Sequence, residues 1–106
     1  MPPIFQIQER RSQDGTLVLA LVGELDMTGA PSLVARLNEA SAAKDRVVLD
    51  FADLEFMDSS GLRVMLEATA EASRDGWSFA MQRPPAPIWH VIEVAGVATF
   101  LPLIDG

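Results

Sequence analysis

The stretch "FMDSSGLRVML", Phe56–Leu66, decides how this chain folds. Two apolar residues lead into it and an apolar pattern of helical spacing leads out. Between them stand Asp58, Ser59, Ser60 and Gly61. Asp and Ser are favoured at helix starts, because a side-chain oxygen accepts a hydrogen bond from an amide that the first turn leaves unpaired. The glycine permits a tight turn or close packing beside them. The stretch therefore marks where a buried segment becomes a helix, running from about Ser60. Leu62, Met65, Leu66, Thr69 and Ala72 form its apolar stripe. Arg63 and Glu67, four apart, and Glu71 and Arg74, three apart, form a solvated face. Gly76 ends the helix in the left-handed conformation.

The flanks complete an alternation of strands and helices. "RVVLDF" holds a buried strand, Val47–Phe51, which "ADLEFM" connects to the motif. Further upstream, Ile4–Arg10 alternates, with Phe5 and Ile7 on one side and Gln6 and Gln8 on the other. Asp14-Gly15 signals a turn, and Leu17–Val22 is a continuous apolar run. Together they predict an antiparallel hairpin whose second strand is interior. "GELDMTGAPS" breaks that strand. Asp26 or Thr28 supplies an N-cap oxygen, and Pro31 fits only a first helical turn. Leu33, Leu37, Ala40 and Ser41 then keep helical spacing as far as about Ala43. Downstream, Trp77, Phe79 and Met81 alternate with Ser78 and Ala80 as a strand does. "RPPAP" leads to a short helix, Ile88–Ala95, capped by Gly96, and "TFLPLI" is a last strand with Pro102 at an edge.

The order is β-β-α-β-α-β-α-β, an α/β chain with a mixed sheet of about five strands. Crossovers between parallel strands are right-handed. Repeated in one direction, they put the helices mainly on one face. The 106 residues suit one domain spanning 1–106.

Composition removes several kinds of chemistry. The net charge of −7 disfavours nucleic acid and anionic lipid as partners. No apolar run is long enough for a membrane span, and the first residues lack the pattern of a signal peptide, so a cytoplasmic chain without direct membrane insertion is expected. Without cysteine there is no disulfide, thiolate catalysis or thiol redox switch. The single histidine, His90, leaves no ordinary zinc site, and no metal or other cofactor is expected.

Three readings of "DSSG" compete. One is a helix cap alone. A nucleophilic serine is disfavoured: it needs a base, the one histidine lies in a distant helix, and neither serine sits in Gly-x-Ser-x-Gly. No catalytic residue is therefore assigned, and the absence of Gly-Lys-Ser/Thr removes a phosphate loop. The third reading is modification. A phosphate at a helix start is tolerated by free amides and the helix dipole, and it would add about −1.5 to −2 charges beside Asp58. Elsewhere His90 reads as a structural histidine, Trp77 and Trp89 as packing residues, and Asp50 and Asp53 as solvated loop acids.

"GELD" after an interior strand, then "VVLDFADLEFMDSSGLRVML", then the proline-led "PIWHVIEVAGV" resemble the STAS domain of bacterial anti-sigma factor antagonists. The resemblance runs from about Leu17 to Leu103, and the "DSSGL" core is its specific part. It implies a single STAS domain acting as a partner-switching protein and not as an enzyme. The unmodified antagonist binds an anti-sigma factor serine kinase and thereby releases a sigma factor. Phosphorylation of a serine by that kinase ends the association, and a metal-dependent serine phosphatase restores it. The family's phosphoacceptor, the first hydroxyl after the motif aspartate, falls on Ser59, with Ser60 as the alternative. The partner-binding surface implied comprises Asp26, Asp58, Ser59, Ser60, Gly61 and Arg63. His90, Ala95 and the proline-rich "RPPAP" depart from the usual pattern around the third helix. A runner-up role is a STAS scaffold subunit of a membrane lipid or anion transport complex. A nucleotide-binding sensor is a third, which the missing phosphate loop disfavours.

Overall fold

A computed structural model describes residues 5–104, and the statements below concern these. The expected first strand residue Ile4 lies outside them. In chain order the elements are β1 (Phe5–Arg11), β2 (Leu17–Leu25), α1 (Ala30–Ala42), β3 (Arg46–Met57), α2 (Ser59–Asp75), β4 (Ser78–Gln82), α3 (Ala86–Ala95), a 3-10 turn (Ala98–Phe100) and β5 (Leu103–Ile104). The five strands form one mixed sheet in the order β1-β2-β3-β4-β5. β1 runs antiparallel to β2, and the remaining pairs are parallel.

Strand periodicity explains where the core lies. Leu17, Leu19 and Leu21 of β2, Val47, Leu49 and Phe51 of β3, and Phe79 and Met81 of β4 recur at alternate positions and are buried together. They join Leu33 and Leu37 of α1, Met65 and Ala68 of α2, and Ile88 and Ile92 of α3 in one cluster. The helices therefore cover one face of the sheet, as the alternation of elements predicts. On the opposite face Val48, Asp50, Ala80 and Gln82 are only half-buried.

Three expectations at the strands need correction. "GELD" does not break β2, which runs on through Gly23 and Glu24 to Leu25 because these residues still pair with β3. "ADLEFM" is not a connection, because β3 continues through it to Met57. Ala20 pairs with Asp50 but Val22 with Asp53, and Gly23 pairs with Leu54 but Glu24 with Phe56, so β3 takes one extra residue at each step. These two bulges bring Phe51, Leu54 and Met57, spaced by three, onto the core side of a strand. Asp50 and Asp53 are thus strand residues, not loop acids. Buried Gly23 lies at the second bulge with φ +95°, in the left-handed half of backbone space. "TFLPLI" is also not one strand. A 3-10 turn takes its first part, and only Leu103 and Ile104 pair with β4. Pro102 contributes its carbonyl, which accepts the Met81 amide at 3.0 Å.

α2 buries Gly61, Leu62, Val64, Met65, Ala68 and Ala72, whereas Leu66 and Thr69 of the expected stripe are half-buried. Gly76 caps it at φ +77°. Trp77 is buried edge-on to Phe79, with ring centroids 5.9 Å apart, as a packing residue should be. Trp89 is half-buried with the Arg83 guanidinium 4.4 Å from its ring centroid.

Candidate functional site

The parallel pairing of β2 and β3 brings both of their C-terminal ends to one edge of the molecule. The last register pair is Leu25 with Met57, and the Asp58 amide donates to the Leu25 carbonyl at 3.2 Å. The loop that follows β2 and the helix that follows β3 therefore start side by side. Asp58, extended at φ −108° and ψ −169°, is the N-cap of α2. Its Oδ1 accepts the Ser60 amide at 2.8 Å. The helix consequently begins at Ser59, one residue earlier than expected, and neither serine has to cap it.

Freed from capping, the two hydroxyl residues differ in exposure. Ser59 is exposed and Ser60 is half-buried. Gly61 in the same turn is buried because the chain cannot hold a side chain there. A Cβ at 61 would lie 2.7 Å from Met57 Cγ and 2.8 Å from Leu25 Cγ and Cδ2. Its absence lets the first turn of α2 rest on the ends of β2 and β3.

Asp26 does not cap α1 directly, nor does Thr28. The N-cap is Gly29, which makes no side-chain cap bond. Asp26 instead folds the preceding turn: its Oδ1 accepts the amides of Thr28 at 2.9 Å and Gly29 at 3.2 Å. Gly29 is packed against Phe5, 2.9 Å from where a Cβ would sit. Asp26 therefore shapes the loop that carries Met27, whose side chain is 76% exposed.

Ser59 stands on a ridge between two grooves. The first, of about 560 Å³, runs between α1 and α2; Met27, Pro31 and Val34 face Ser59, Ser60 and Arg63 across it. The second, of about 360 Å³, runs between α2 and α3 and is bounded by Ser59, Leu62, His90, Val91, Val94 and Ala95. Val34 is 40% exposed and Val94 73%. Large apolar side chains thus flank one hydroxyl on both sides, with Asp58 beside it. The family resemblance implied that Asp26, Asp58, Ser59, Ser60, Gly61 and Arg63 share one surface. The fold brings the last five together on the first turns of α2 and sets Asp26 in the loop next to them. Met27, Val34 and Val94 were not singled out, because their exposure depends on how α1 and α3 flank α2.

Arg63 is exposed and lines the first groove. Arg63, Glu67 and Arg74 are exposed, as a solvated face requires, and Glu71 is half-buried. Among the described residues Arg63 has no carboxylate within 4.0 Å, and Arg74 meets Asp75 at 3.3 Å. Also among the described residues, no group of three or more acidic or histidine side chains is placed to hold a metal ion, and no helix is long and apolar enough to cross a membrane.

The five-stranded mixed sheet with an N-terminal antiparallel hairpin and three helices on one face is an α/β fold. The family model described as "Mlab, STAS domain" matches residues 9–104, so the chain belongs to the STAS domain family. It is 28% identical over 99 residues to the anti-sigma F factor antagonist of Paenibacillus polymyxa, covering 92% of this chain and 85% of that protein. An anti-sigma factor antagonist from Mycobacterium paratuberculosis has a similar structure, with TM-score 0.81, 23% identity and coverage of 93% and 84%. The antagonist SpoIIAA is similar in both unphosphorylated and phosphorylated forms. Their TM-scores are 0.77 and 0.72, each at 23% identity, covering 95% of this chain and 88% and 91% of those chains.

Proposed function

We propose that this chain is an anti-sigma factor antagonist, one domain over 1–106 that switches partners by phosphorylation of Ser59. In the unmodified form it binds an anti-sigma factor serine kinase and releases the sigma factor. The kinase transfers the γ-phosphoryl group of ATP to Ser59 Oγ; the hydroxyl proton leaves and ADP departs. A serine phosphatase then directs water at phosphorus, restoring the hydroxyl and releasing inorganic phosphate.

The observation that carries this reading is the position of Ser59, exposed on a ridge between two grooves edged by exposed Met27, Val34 and Val94. Exposed apolar side chains gathered around a polar centre mark a surface that closes against another protein. A dianion introduced at that centre must be desolvated beside Asp58 when the partner docks. Such a penalty, about 3–4 kcal/mol, weakens binding several hundred-fold. Ser60 is the less accessible acceptor, being half-buried. Asp26 and Gly61 act by holding the two sides of the surface in place, and Arg63 meets the partner from the first groove.

Mass spectrometry after incubation with the cognate kinase and ATP should find phosphate on Ser59. Phosphate on Ser12 or Ser73 with Ser59 unmodified would overturn the reading.

A further inference from the structure

We propose that Arg63 is the internal counter-ion of phosphorylated Ser59, a positioning residue that holds the phosphate on the α1 side of the ridge. The inference rests on the phosphorylation of Ser59 proposed above and specifies what the phosphate touches.

The two residues stand four apart on α2, where side chains are neighbours about 5–6 Å apart at Cβ. Side chains on a helix lean toward its N-terminus, so Arg63 extends back over the turn that carries Ser59. Both residues border the same groove and both are exposed. Arg63 also differs from the other cations. Arg10, Arg11, Arg36, Arg46 and Arg74 each have a carboxylate within 4.0 Å. Lys44 donates to the Asp75 carbonyl, and Arg83 lies over Trp89. Arg63 alone among the described residues has none of these engagements. A guanidinium presents several donors in a planar fork that matches phosphate oxygens.

The need for a counter-charge is local. Asp58 is adjacent and already negative, so a phosphate on Ser59 adds two charges beside a third. From α1 and its preceding loop the groove presents Met27, Ala30, Pro31, Val34, Ala35 and Asn38, with no charge. From α3 the second groove presents His90 as its one titratable group. Arg63 and His90 are thus the two side chains able to balance the phosphate, and only Arg63 shares its helix and is cationic at every working pH. Once paired, Arg63 is withdrawn from the groove. The docking surface then loses a cation as well as gaining an anion.

The test installs phosphoserine directly at position 59 of the full chain by genetic encoding, so it does not depend on any kinase. Phosphorus NMR then follows the second ionisation of the phosphate, which lies near 6 in an unperturbed phosphoserine. Arg63→Gln should raise that midpoint by about half a pH unit, Arg63→Lys by less, and His90→Gln by no more than about 0.1. Circular dichroism confirms that each variant is folded. An unchanged midpoint in Arg63→Gln, or a rise found in His90→Gln instead, would overturn the assignment. Failure of a kinase to modify Ser59 would refute the functional reading while leaving this measurement interpretable.

Discussion

Gly61 is a glycine because the space its side chain would take is filled by Leu25 and Met57. Gly61→Ala gains a little helix propensity but forces those two side chains apart. Overpacking of about 1–3 kcal/mol should exceed the gain and leave a net loss near 1 kcal/mol, measured by chemical denaturation. Ser59 is under the opposite constraint, since nothing in the fold needs its hydroxyl. On the proposed function, Ser59→Ala should therefore bind the anti-sigma kinase and resist switching. Ser59→Asp should bind at least tenfold more weakly, about 1.4 kcal/mol, in a pull-down or calorimetric titration. Equal binding by the two variants would contradict the charge argument. The Asp-Ser-Ser-Gly run at a helix start was legible as local chemistry, but the residues alone left Ser59 and Ser60 open, and only the family resemblance favoured Ser59. The reason for Gly61 was only half legible, since its two close neighbours come from different strands.

At the scale of elements, α2 is held at its start by a single carboxylate. Asp58→Ala removes the cap and should cost about 1 kcal/mol, whereas Asp58→Ser should recover much of it. For a domain of this size that loss lowers the thermal midpoint by about 4–8 °C. The β2–α1 loop depends in the same way on Asp26, whose Oδ1 carries two amides. Helices were legible because their apolar spacing and their end signals, such as Gly76 and Gly96, are encoded within each segment. β3 was read too short because Phe51, Leu54 and Met57 recur every three residues, a period that belongs to neither an ideal strand nor a solvent-faced one. Only the pairing with β2, with its two extra residues, makes that spacing apolar-inward. β5 was read too long because Thr99 and Phe100 look extended in sequence yet turn through a 3-10 segment.

Over the whole molecule, charge is arranged unevenly. The edge opposite Ser59 carries a set of ion pairs that ties the β1–β2 turn to the start of β3: Arg11 with Asp45 at 2.9 Å and Arg46 with Asp14 at 3.4 Å. The Ser12 hydroxyl, with the Thr16 amide, holds the Asp14 carboxyl down at about 2, below the ordinary 3.8. The Arg11 hydrogen bond lowers Asp45 as well. In the native state these carboxyls bind protons less readily than in the unfolded chain. Their contribution is complete above about pH 4 and disappears as pH falls through the native value. Asp14→Asn should therefore lower the thermal midpoint at pH 7, and the difference from the parent protein should close as pH approaches 2. None of this network was read from sequence, nor were the two grooves beside Ser59, because each joins segments far apart in the chain.

The two bulges of β3 have a consequence for how this sequence can change. Between Asp50 and Asp58 the chain spends two residues more than its neighbouring strand. The side chains of Ala52, Asp53 and Glu55 are exposed and free to be exchanged. Their number is not. Loss of any one would turn Leu54 or Met57 outward and rotate the start of α2, moving Ser59 off its ridge with every residue of the motif still present. The segment just before Ser59 is therefore tolerant of spelling and intolerant of length.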